Sequence, residues 1–411
     1  MIVAVIPAHN ESEWIEKVVA NLADQTCPPD RIIVMSDNST DDTVGLARRA
    51  GAEVWESEGN TRKKAGALNQ ALDRILGELH DLDYVFIQDA DTMPAPRWLE
   101  VAGEWAQEHP GAIISGRYAS PPTGKSLLRI VQENEFARDG RAINRRGNKT
   151  RIVVGTSALL PVSTLRAIIR ARLEGKLPGP RVGQVYSTAS ITEDYELTLA
   201  LKTLGIETLS PAECDAVTDV MPTLPELWNQ RIRWQRGAFT DLRTYGLTKV
   251  TRWYYAAQAM WGFGMLTVVL IVAQIALVVG LTGHFSPSPI WLGTLPLFVA
   301  HRIISVQRTG AKGMLVAATL IPETAYDFFR YGVYLTCAWR ALVGKETRWL
   351  GAARRSTEAS TVVKTTRSSP AGDCDRPAAG SSSRPASASC WGGLPSRPSG
   401  ARPGLSSRSR T

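Results

Sequence analysis

Cysteines are few in this chain, and they form no recognisable pattern. The five are scattered and odd in number, and no two of them are spaced as a metal-binding C-x-x-C pair: Cys27, Cys214, Cys337, Cys374 and Cys390. This spacing argues against a disulfide framework and against a zinc site. It is typical of proteins in a reducing compartment.

Charge of either sign is missing from one long segment. No Asp, Glu, Lys or Arg occurs between Arg252 and Arg302, and residues 259–281 are almost continuously apolar. A run of that length predicts a membrane-spanning helix, and 288–306 predicts a second, shorter span. Basic residues flank the pair but are missing from the loop 282–289, so we expect a multi-pass protein of the cell membrane with both ends in the cytosol. A buried helix hairpin of a soluble protein is the alternative.

A basic segment of the kind that opens a signal peptide is also lacking, because Met1 runs directly into a short apolar strand. We therefore expect a cytosolic domain over 1–250. Residues 251–350 are the predicted membrane region. Within it, charged residues interrupt the apolar sequence of 314–343 and favour a surface-lying helix or a helix pair over a third span.

The net charge of +8 resides almost entirely in the tail. Residues 351–411 carry nine Arg and one Lys against three acidic residues, a net charge of +7, which leaves +1 for the rest of the chain. The basic character therefore predicts no nucleic-acid-binding face on the folded part. The tail is rich in Ser, Gly and Pro and is predicted to be disordered. Binding to anionic lipid and no role at all are both open for it.

Short β-branched runs alternate with amphipathic helical stretches from residue 1 to about 215. This alternation predicts an α/β fold with a mostly parallel sheet, in which ligands bind beyond the carboxyl ends of the strands. The predicted strands are Ile2–Ile6, Ile32–Met35, Glu53–Trp55, Tyr84–Gln88, Ala112–Ser115, Ile152–Val154 and Glu207–Leu209. The predicted helices are 11–23, 41–50, 64–78, 96–108, 162–173 and 193–204.

Two carboxylates directly follow the predicted strand Tyr84–Gln88. Asp89 and Asp91 can offer hard oxygen ligands to Mg²⁺ or Mn²⁺, with waters and a substrate diphosphate completing the coordination. Such a metal would neutralise charge on a leaving nucleoside diphosphate. The alternative is that Asp89 and Asp91 belong to an acidic loop that only caps the next helix.

The first two strands also end in polar segments, Pro7–Glu11 and Asp37–Thr43. Asn, Asp, Ser and Thr are common in turns and helix caps, so each segment alone could be structural. Functionally, the Asp37 carboxylate and nearby backbone groups suit the imide N–H and carbonyls of a uracil ring. Lys64 opens the next helix, where a cation and free N–H groups could face a diphosphate.

Two later segments complete the set. Thr192-Glu193-Asp194 opens a helix. The segment could be structural, with Thr192 as the N-cap and the two acids complementing the helix dipole. Alternatively, one of its carboxylates could accept the proton of an acceptor hydroxyl. Gln230–Trp234 precedes the membrane run. This segment could be a basic helix at the membrane interface. Alternatively, Arg233 could contact the diphosphate while Trp234 offers a flat face to a sugar ring.

Together these segments resemble the family-2 glycosyltransferases, most closely the membrane-embedded branch with cellulose, chitin, hyaluronan and poly-N-acetylglucosamine synthases. The resemblance covers about residues 1–350 and rests on P-x-x-N-E, D-x-S-x-D, K-A-G-A-L-N, D-A-D, T-E-D and Q-x-x-R-W in that order. It implies a GT-A fold, a nucleotide-sugar donor (usually a UDP-sugar), a bound Mg²⁺ or Mn²⁺, and an inverting single displacement.

The resemblance also implies roles for individual residues. Asp194 would be the catalytic base, and Asp89 and Asp91 would contact the metal. Nucleotide-sugar binding would fall to Ala8, Glu11, Asp37, Lys64, Asp89, Gln230, Arg233 and Trp234. The acceptor would meet Gly155, Thr156, Ser157, Glu193 and Trp234.

The chain departs from that branch in two respects. We expect no membrane helices before the catalytic domain, and no segment resembles the gating loop of cellulose synthase. A polysaccharide synthase and a transferase acting on a lipid, a protein or another acceptor are therefore both open. A catalytically silent nucleotide-sugar-binding membrane subunit is the alternative from another class. The presence of Asp89, Asp91, Asp194 and Arg233 argues against it.

Overall fold

The computed structural model describes residues 1–119, 126–218, 220–284 and 289–343. All of them lie within one compact unit, Met1–Gly372. The tail predicted to be disordered, 351–411, lies outside the described residues.

Ten strands and twelve α-helices make up the described chain. The strands are β1 (Ile2–Ala8), β2 (Arg31–Ser36), β3 (Glu53–Glu56), β4 (Tyr84–Gln88), β5 (Thr92–Pro94), β6 (Ile113–Ser115), β7 (Arg117–Ala119), β8 (Ser157–Pro161), β9 (Thr208–Leu209) and β10 (Asp215–Thr218). The helices are α1 (Ile15–Ala23), α2 (Thr43–Arg49), α3 (Lys63–Ile75), α4 (Trp98–Glu108), α5 (Leu127–Asn144), α6 (Val162–Leu173), α7 (Glu193–Thr203), α8 (Leu224–Tyr245), α9 (Thr251–Thr282), α10 (Pro289–Ser305), α11 (Gly310–Thr319) and α12 (Ile321–Val343).

Seven strands form the main sheet, in the order β3-β2-β1-β4-β8-β6-β9. β1 pairs in parallel with β2 and β4, β2 with β3, and β6 with β9, whereas β8 runs antiparallel to both of its neighbours. The prediction of a mostly parallel α/β sheet is therefore confirmed. Because β1, β2 and β4 are adjacent and parallel, the polar segments that follow them meet at one edge. A second sheet has the order β5-β10-β7.

Burial explains why these segments form strands and helices. Val3, Val5 and Ile6 in the central strand β1 have no exposed surface, as expected of a strand covered on both faces. Along α1, the buried residues recur at helical spacing and turn one apolar face to the sheet. Helix α3 buries Leu68 and Leu72 in the same way.

One predicted strand is wrong. Residues 152–154 form no strand, and the chain pairs instead through β8, a few residues later. Side-chain hydroxyls here accept the backbone hydrogen bonds that a neighbouring strand would accept. Val153 N donates to Thr198 Oγ1 and Val154 N to Ser115 Oγ, each at 2.9 Å. A β-branched run can therefore remain irregular when nearby hydroxyls satisfy its backbone.

Helices α9 to α12 cover the predicted membrane region. Among the described helices, α9 is the one long and apolar enough to cross a bilayer, and none of its most apolar window is buried. The second predicted span corresponds to α10, a 17-residue helix with Pro296 inside it. It stays a prediction, as do the domain boundaries. The segment 314–343 forms α11 and α12, the latter lying against α8 and α5.

Candidate active site

The loops that follow β1 and β2 interlock. The Asn10 side-chain oxygen accepts a hydrogen bond from Thr40 N at 2.7 Å, and Asn10 N donates to Ser39 Oγ at 3.2 Å. Glu11 N donates to Thr43 Oγ1 at 2.8 Å. The two predicted nucleoside-binding segments therefore form a single structural element at the sheet edge.

Asp37 is the buried carboxylate of that element. Its backbone N–H donates to Ala8 O at 2.7 Å, which ties the ends of β1 and β2 together. Its Oδ1 accepts hydrogen bonds from Ser57, Asn60 and Asn38 at 2.7, 2.8 and 2.9 Å. Within the described part of the chain, Oδ2 receives no donor. One carboxylate oxygen is thus available for an N–H group such as that of a uracil ring.

Lys64 joins three segments that lie far apart in the sequence. Its Nζ lies 2.5 Å from Asp89 Oδ1 and 3.1 Å from Glu193 Oε1, and it donates to Gly155 O at 3.0 Å. Asp194 stands beside the same loop, because a Cβ placed on Gly155 would lie 3.5 Å from Asp194 Oδ2. The D-A-D, T-E-D and acceptor-loop segments therefore meet around one ammonium group.

Burial and neighbouring charges shift the pKa values of these carboxyl groups. Burial raises the pKa of Asp89 to about 6, against the lowering effect of Lys64. Burial and then the charge of Glu193 raise the pKa of Asp194 to about 6. Burial also acts to raise the pKa of Glu193, but the Lys64 ammonium, a backbone N–H and the Arg233 charge together outweigh it and hold that pKa below its usual range. Asp194 is thus a stronger proton acceptor than an ordinary Asp and is still ionised at neutral pH.

Asp89 and Asp91 are half-buried at the end of β4. Asp89 N donates to Thr156 O at 3.1 Å, and Thr92 Oγ1 donates to Asp91 Oδ1 at 3.3 Å. No group of three or more His, Cys, Asp or Glu side chains arranged for a metal ion occurs in the residues that the structure describes. Two carboxylates alone suit a Mg²⁺ or Mn²⁺ whose other ligands are waters and substrate phosphates, rather than a metal held in an all-protein cage.

The three predicted acceptor residues lie in different surroundings. Gly155 lines a narrow pocket together with Lys64, Tyr186 and the two acids of T-E-D. Thr156 and Ser157 are buried at the start of β8, and neither hydroxyl has a hydrogen-bond partner among the described residues. Gly155 is therefore the one of the three that reaches the pocket.

Helix α8 carries Q-x-x-R-W and approaches the start of α7 through a glycine. A Cβ placed on Gly237 would lie 2.1 Å from Thr192 Oγ1, so only glycine permits this approach. Arg233 and Asp241 lie one turn before and after Gly237, on the same face of the helix. Asp241 Oδ2 accepts from Ser190 Oγ at 2.8 Å and fixes the loop before T-E-D. Arg233 is exposed, and its charge contributes to the lowered pKa of Glu193 and only partly offsets the raised pKa of Asp194.

Gln230 and Trp234 are half-buried on α8, one turn apart. The Trp234 ring faces the guanidinium group of Arg231, with 4.5 Å between the guanidinium carbon and the ring centroid. Arg231 in turn forms a 2.8 Å ion pair with Glu135. The structure thus places Trp234 within a network that extends beyond its own helix.

Several residues that support the site were missed by the sequence reasoning. Ser57 and Asn60 hold Asp37, although neither belongs to a motif. Asn69 forms two 2.9 Å hydrogen bonds with the backbone of Tyr186, which lines the pocket. A polar side chain on the apolar face of a predicted helix was the available signal for Asn69.

A buried ion pair supports α7 from behind. Arg172 Nη2 lies 2.7 Å from Glu196 Oε2, and both side chains are 4% exposed. The Tyr245 hydroxyl donates to the other Glu196 oxygen at 2.7 Å. Since Glu196 lies one turn from the T-E-D acids, this pair helps to fix the helix end that carries them.

Residues 3–169 match the model of the family described as Glycosyl transferase family 2. One similar curated protein is the UDP-forming cellulose synthase catalytic subunit of Pseudomonas fluorescens, 27% identical over 66% of this chain and 36% of that protein. Another is the poly-beta-1,6-N-acetyl-D-glucosamine synthase of Staphylococcus aureus, 25% identical over 56% of this chain and 53% of that protein. A probable glucomannan 4-beta-mannosyltransferase of Arabidopsis thaliana is 30% identical over 32% of this chain and 26% of that protein. The chain therefore spans only part of the length of these relatives.

A solved structure shares the fold. A mannosyltransferase from Pyrobaculum calidifontis, in complex with GDP-Man and Mn²⁺, superposes with a TM-score of 0.54 at 19% identity, over 84% of this chain and 88% of that chain. The prediction of a GT-A fold is thus confirmed. The family match over residues 3–169, the curated relatives and the shared fold agree, and together they support a family-2 glycosyltransferase of the branch that includes cellulose and poly-N-acetylglucosamine synthases.

Proposed function

We propose that this chain is a membrane-anchored inverting glycosyltransferase that moves a sugar from a UDP-sugar to an acceptor hydroxyl. The observation that supports this most is the position of Lys64, whose ammonium contacts both Asp89 and Glu193 beside Asp194. It places the residues proposed for the donor diphosphate next to those proposed for the acceptor. Such proximity is what a single-displacement transfer requires.

Ala8, Glu11 and Asp37 are the proposed nucleoside-binding residues. Donors bind Oδ1 of Asp37, and Oδ2, which has no donor among the described residues, can accept the imide N–H of uracil. The name of the cellulose synthase relative specifies a UDP-forming reaction, which favours a UDP-sugar. The structurally similar mannosyltransferase holds GDP-Man, so a panel of donors is needed to identify the base.

Asp89 and Asp91 are the residues that would hold Mg²⁺ or Mn²⁺. When bound there, the cation supplies positive charge that stabilises the departing nucleoside diphosphate. The Mn²⁺ of the structurally similar mannosyltransferase is consistent with such a cofactor. Lys64 and Arg233 would add positive charge on the diphosphate side.

Asp194 is the proposed catalytic base. Its carboxylate would accept the proton of the acceptor hydroxyl as that oxygen forms a bond to the anomeric carbon and the bond to the diphosphate breaks. Attack from the face opposite the leaving group inverts the anomeric centre. Glu193 and Gly155 would border the acceptor, and Gln230 and Trp234 the junction between acceptor and donor.

The transfer is tested by incubating membranes that contain the protein with a panel of labelled nucleotide-sugars and Mn²⁺. We expect one UDP-sugar to label a product. Sizing that product and extracting it into organic solvent distinguish a polysaccharide from a glycosylated lipid. If no donor labels any product while UDP still binds, the chain is a nucleotide-sugar-binding subunit instead.

We further propose that α9 spans the membrane, α10 returns, and α12 lies on the cytosolic membrane surface. The 32 residues of α9 reach about 48 Å, and its apolar side chains are exposed. The hydrocarbon core of a bilayer is about 30 Å thick. Along α12, large apolar side chains on the face opposite its packed side are exposed, as in a helix at a lipid surface: Ile321, Phe328, Leu335, Trp339 and Leu342.

Washing membranes with carbonate at high pH tests this topology. Membrane lipid would surround α9, so the intact chain should stay in the pellet. Recovery of the intact chain in the supernatant would contradict the membrane anchor and leave the catalytic proposal untouched.

A further inference from the structure

We propose that Glu135 on α5 is a positioning residue that sets the orientation of Trp234 through Arg231. This inference rests on the proposed function, because it takes Trp234 as part of the junction between donor and acceptor. Neither Glu135 nor Arg231 belongs to the residues assigned above to the donor, the acceptor or the metal.

Glu135 is the centre of a buried polar cluster. Its Oε2 lies 2.8 Å from Arg231 Nη2 and accepts a 2.7 Å hydrogen bond from the Tyr326 hydroxyl. Its Oε1 lies 3.4 Å from Arg330 Nη2. The side chains of Glu135 and Arg231 are 17% and 11% exposed, so water screens this pair little. Two arginines and a hydroxyl therefore fix both oxygens of one carboxylate.

Arg231 transmits this constraint to Trp234. Its guanidinium carbon lies 4.5 Å from the centroid of the Trp234 ring, within the range of a cation–π contact. The two residues are three apart on α8 and therefore share a face of the helix. The guanidinium is held at one edge by Glu135 and lies over the aromatic ring. Loss of Glu135 would leave that edge of the guanidinium with a longer, 3.3 Å hydrogen bond to the Tyr326 hydroxyl, and would so loosen the constraint on the ring.

The same cluster reaches the proposed membrane region. Arg330 on α12 contacts Glu135, and its guanidinium carbon lies 4.2 Å from the ring centroid of Trp261 on α9. Glu135 is thus the point at which α5, α8 and α12 meet. A residue on α5, far in sequence from Q-x-x-R-W, is in this way connected to that motif on α8.

A second buried carboxylate provides a matched control. Glu323 on α12 is 3% exposed and bound by Arg138 and Arg302, with Asn134 Nδ2 donating to it at 2.8 Å. It joins α12 to α5 as Glu135 does, but no described contact links it to α8. Neutralising Glu135 or Glu323 removes one buried charge from the interface between α5 and α12. Of the two, Glu135 is the one that contacts the Q-x-x-R-W motif on α8.

The test compares Glu135→Gln with Glu323→Gln, using the labelled UDP-sugar that the wild-type chain transfers. We expect E135Q to lower kcat about 10- to 100-fold, since a displacement of about 1 Å at a reacting centre can cost about 100-fold. The affinity for UDP with Mn²⁺ should be unchanged, because UDP lacks the sugar that Trp234 would contact. E323Q should lower Tm at least as much and leave kcat near the wild-type value. E135D, which keeps the charge, should restore part of the rate.

A double-mutant cycle separates positioning from general destabilisation. In a Trp234→Ala background, E135Q should cause no further loss, because the residue through which it acts is already gone. Arg231→Lys, which keeps the charge but removes the flat guanidinium, should behave like E135Q and provides the same test if E135Q folds poorly. The wild-type rate tests the proposed function, and the comparison of variants tests the inference. Equal losses in E135Q and E323Q, or losses that multiply with W234A, overturn the inference alone.

Discussion

Replacing Asp194 by Asn separates chemistry from binding in this site. Asp194 Oδ1 accepts a hydrogen bond from Tyr195 N at 2.7 Å, and an amide oxygen can keep that contact. The ion pairs of Lys64 with Asp89 and Glu193 do not involve residue 194. The fold and the donor pocket should therefore survive the substitution, while the group that accepts the proton is lost.

The surroundings of Asp194 indicate how large the effect should be. A general base contributes about 10²- to 10⁴-fold to a rate. Glu193 is a poor substitute, because Lys64 holds its pKa below the usual range despite its burial. We therefore expect transfer to fall about 10³-fold, which corresponds to roughly 4 kcal/mol of activation free energy.

The assay measures the transfer rate, the UDP affinity with Mn²⁺ and the Tm on one preparation of D194N. A large fall in rate with unchanged UDP affinity and Tm is the expected result. A near-normal transfer rate would mean that T-E-D serves only as a helix cap. A joint loss of UDP binding and thermal stability would make Asp194 a structural residue.

Three further predictions follow from the site. Transfer at saturating donor should fall as the pH drops through about 6, because burial and Glu193 raise the pKa of Asp194 to about 6 and its protonated form cannot accept a proton; a pH-independent rate across that range would contradict its role as base. Asp91→Asn should abolish the enhancement of UDP binding by Mn²⁺ in a titration, since an amide is a poorer ligand for a hard cation, whereas an unchanged enhancement would place the metal elsewhere. Gly237→Ala should lower the free energy of unfolding by about 1–3 kcal/mol through its clash with Thr192, and Gly77→Ala, where nothing lies within 4 Å, serves as the control; equal denaturation midpoints would refute the close approach.

The parts of the fold that the sequence predicts well are those in which apolar burial has a simple period. Strand β4 and helix α6 were placed to the residue, because β4 is a short, continuously buried run and the buried side chains of α6 recur at helical spacing. Helix α5 was not predicted. Its buried positions include Gln132, Asn134 and Gly140, since its inner face binds polar and charged groups of α8 and α12 as well as making apolar contacts. A polar inner face shows no apolar periodicity.

The candidate site, too, has parts that the sequence predicts and parts that depend on tertiary packing. The carboxyl ends of adjacent parallel strands meet by geometry, so the sequence could place Glu11, Asp37 and Asp89 at one edge. That Lys64 pairs with both Asp89 and Glu193 could not be predicted, because it depends on how α3 and α7 pack in the same hydrophobic core. Nor does local sequence indicate that Glu135 reaches α8, since residues 135 and 231 come together only in the tertiary structure.

The anomeric configuration of the product tests the central claim most directly. The wild-type chain is incubated in membranes with a UDP-α-sugar that it accepts and Mn²⁺, and the linkage formed is assigned by NMR. The mechanism based on Asp194 predicts a β-linked product together with release of UDP. An α-linked product would contradict the single displacement, and binding of UDP without any product from any donor would contradict catalysis altogether.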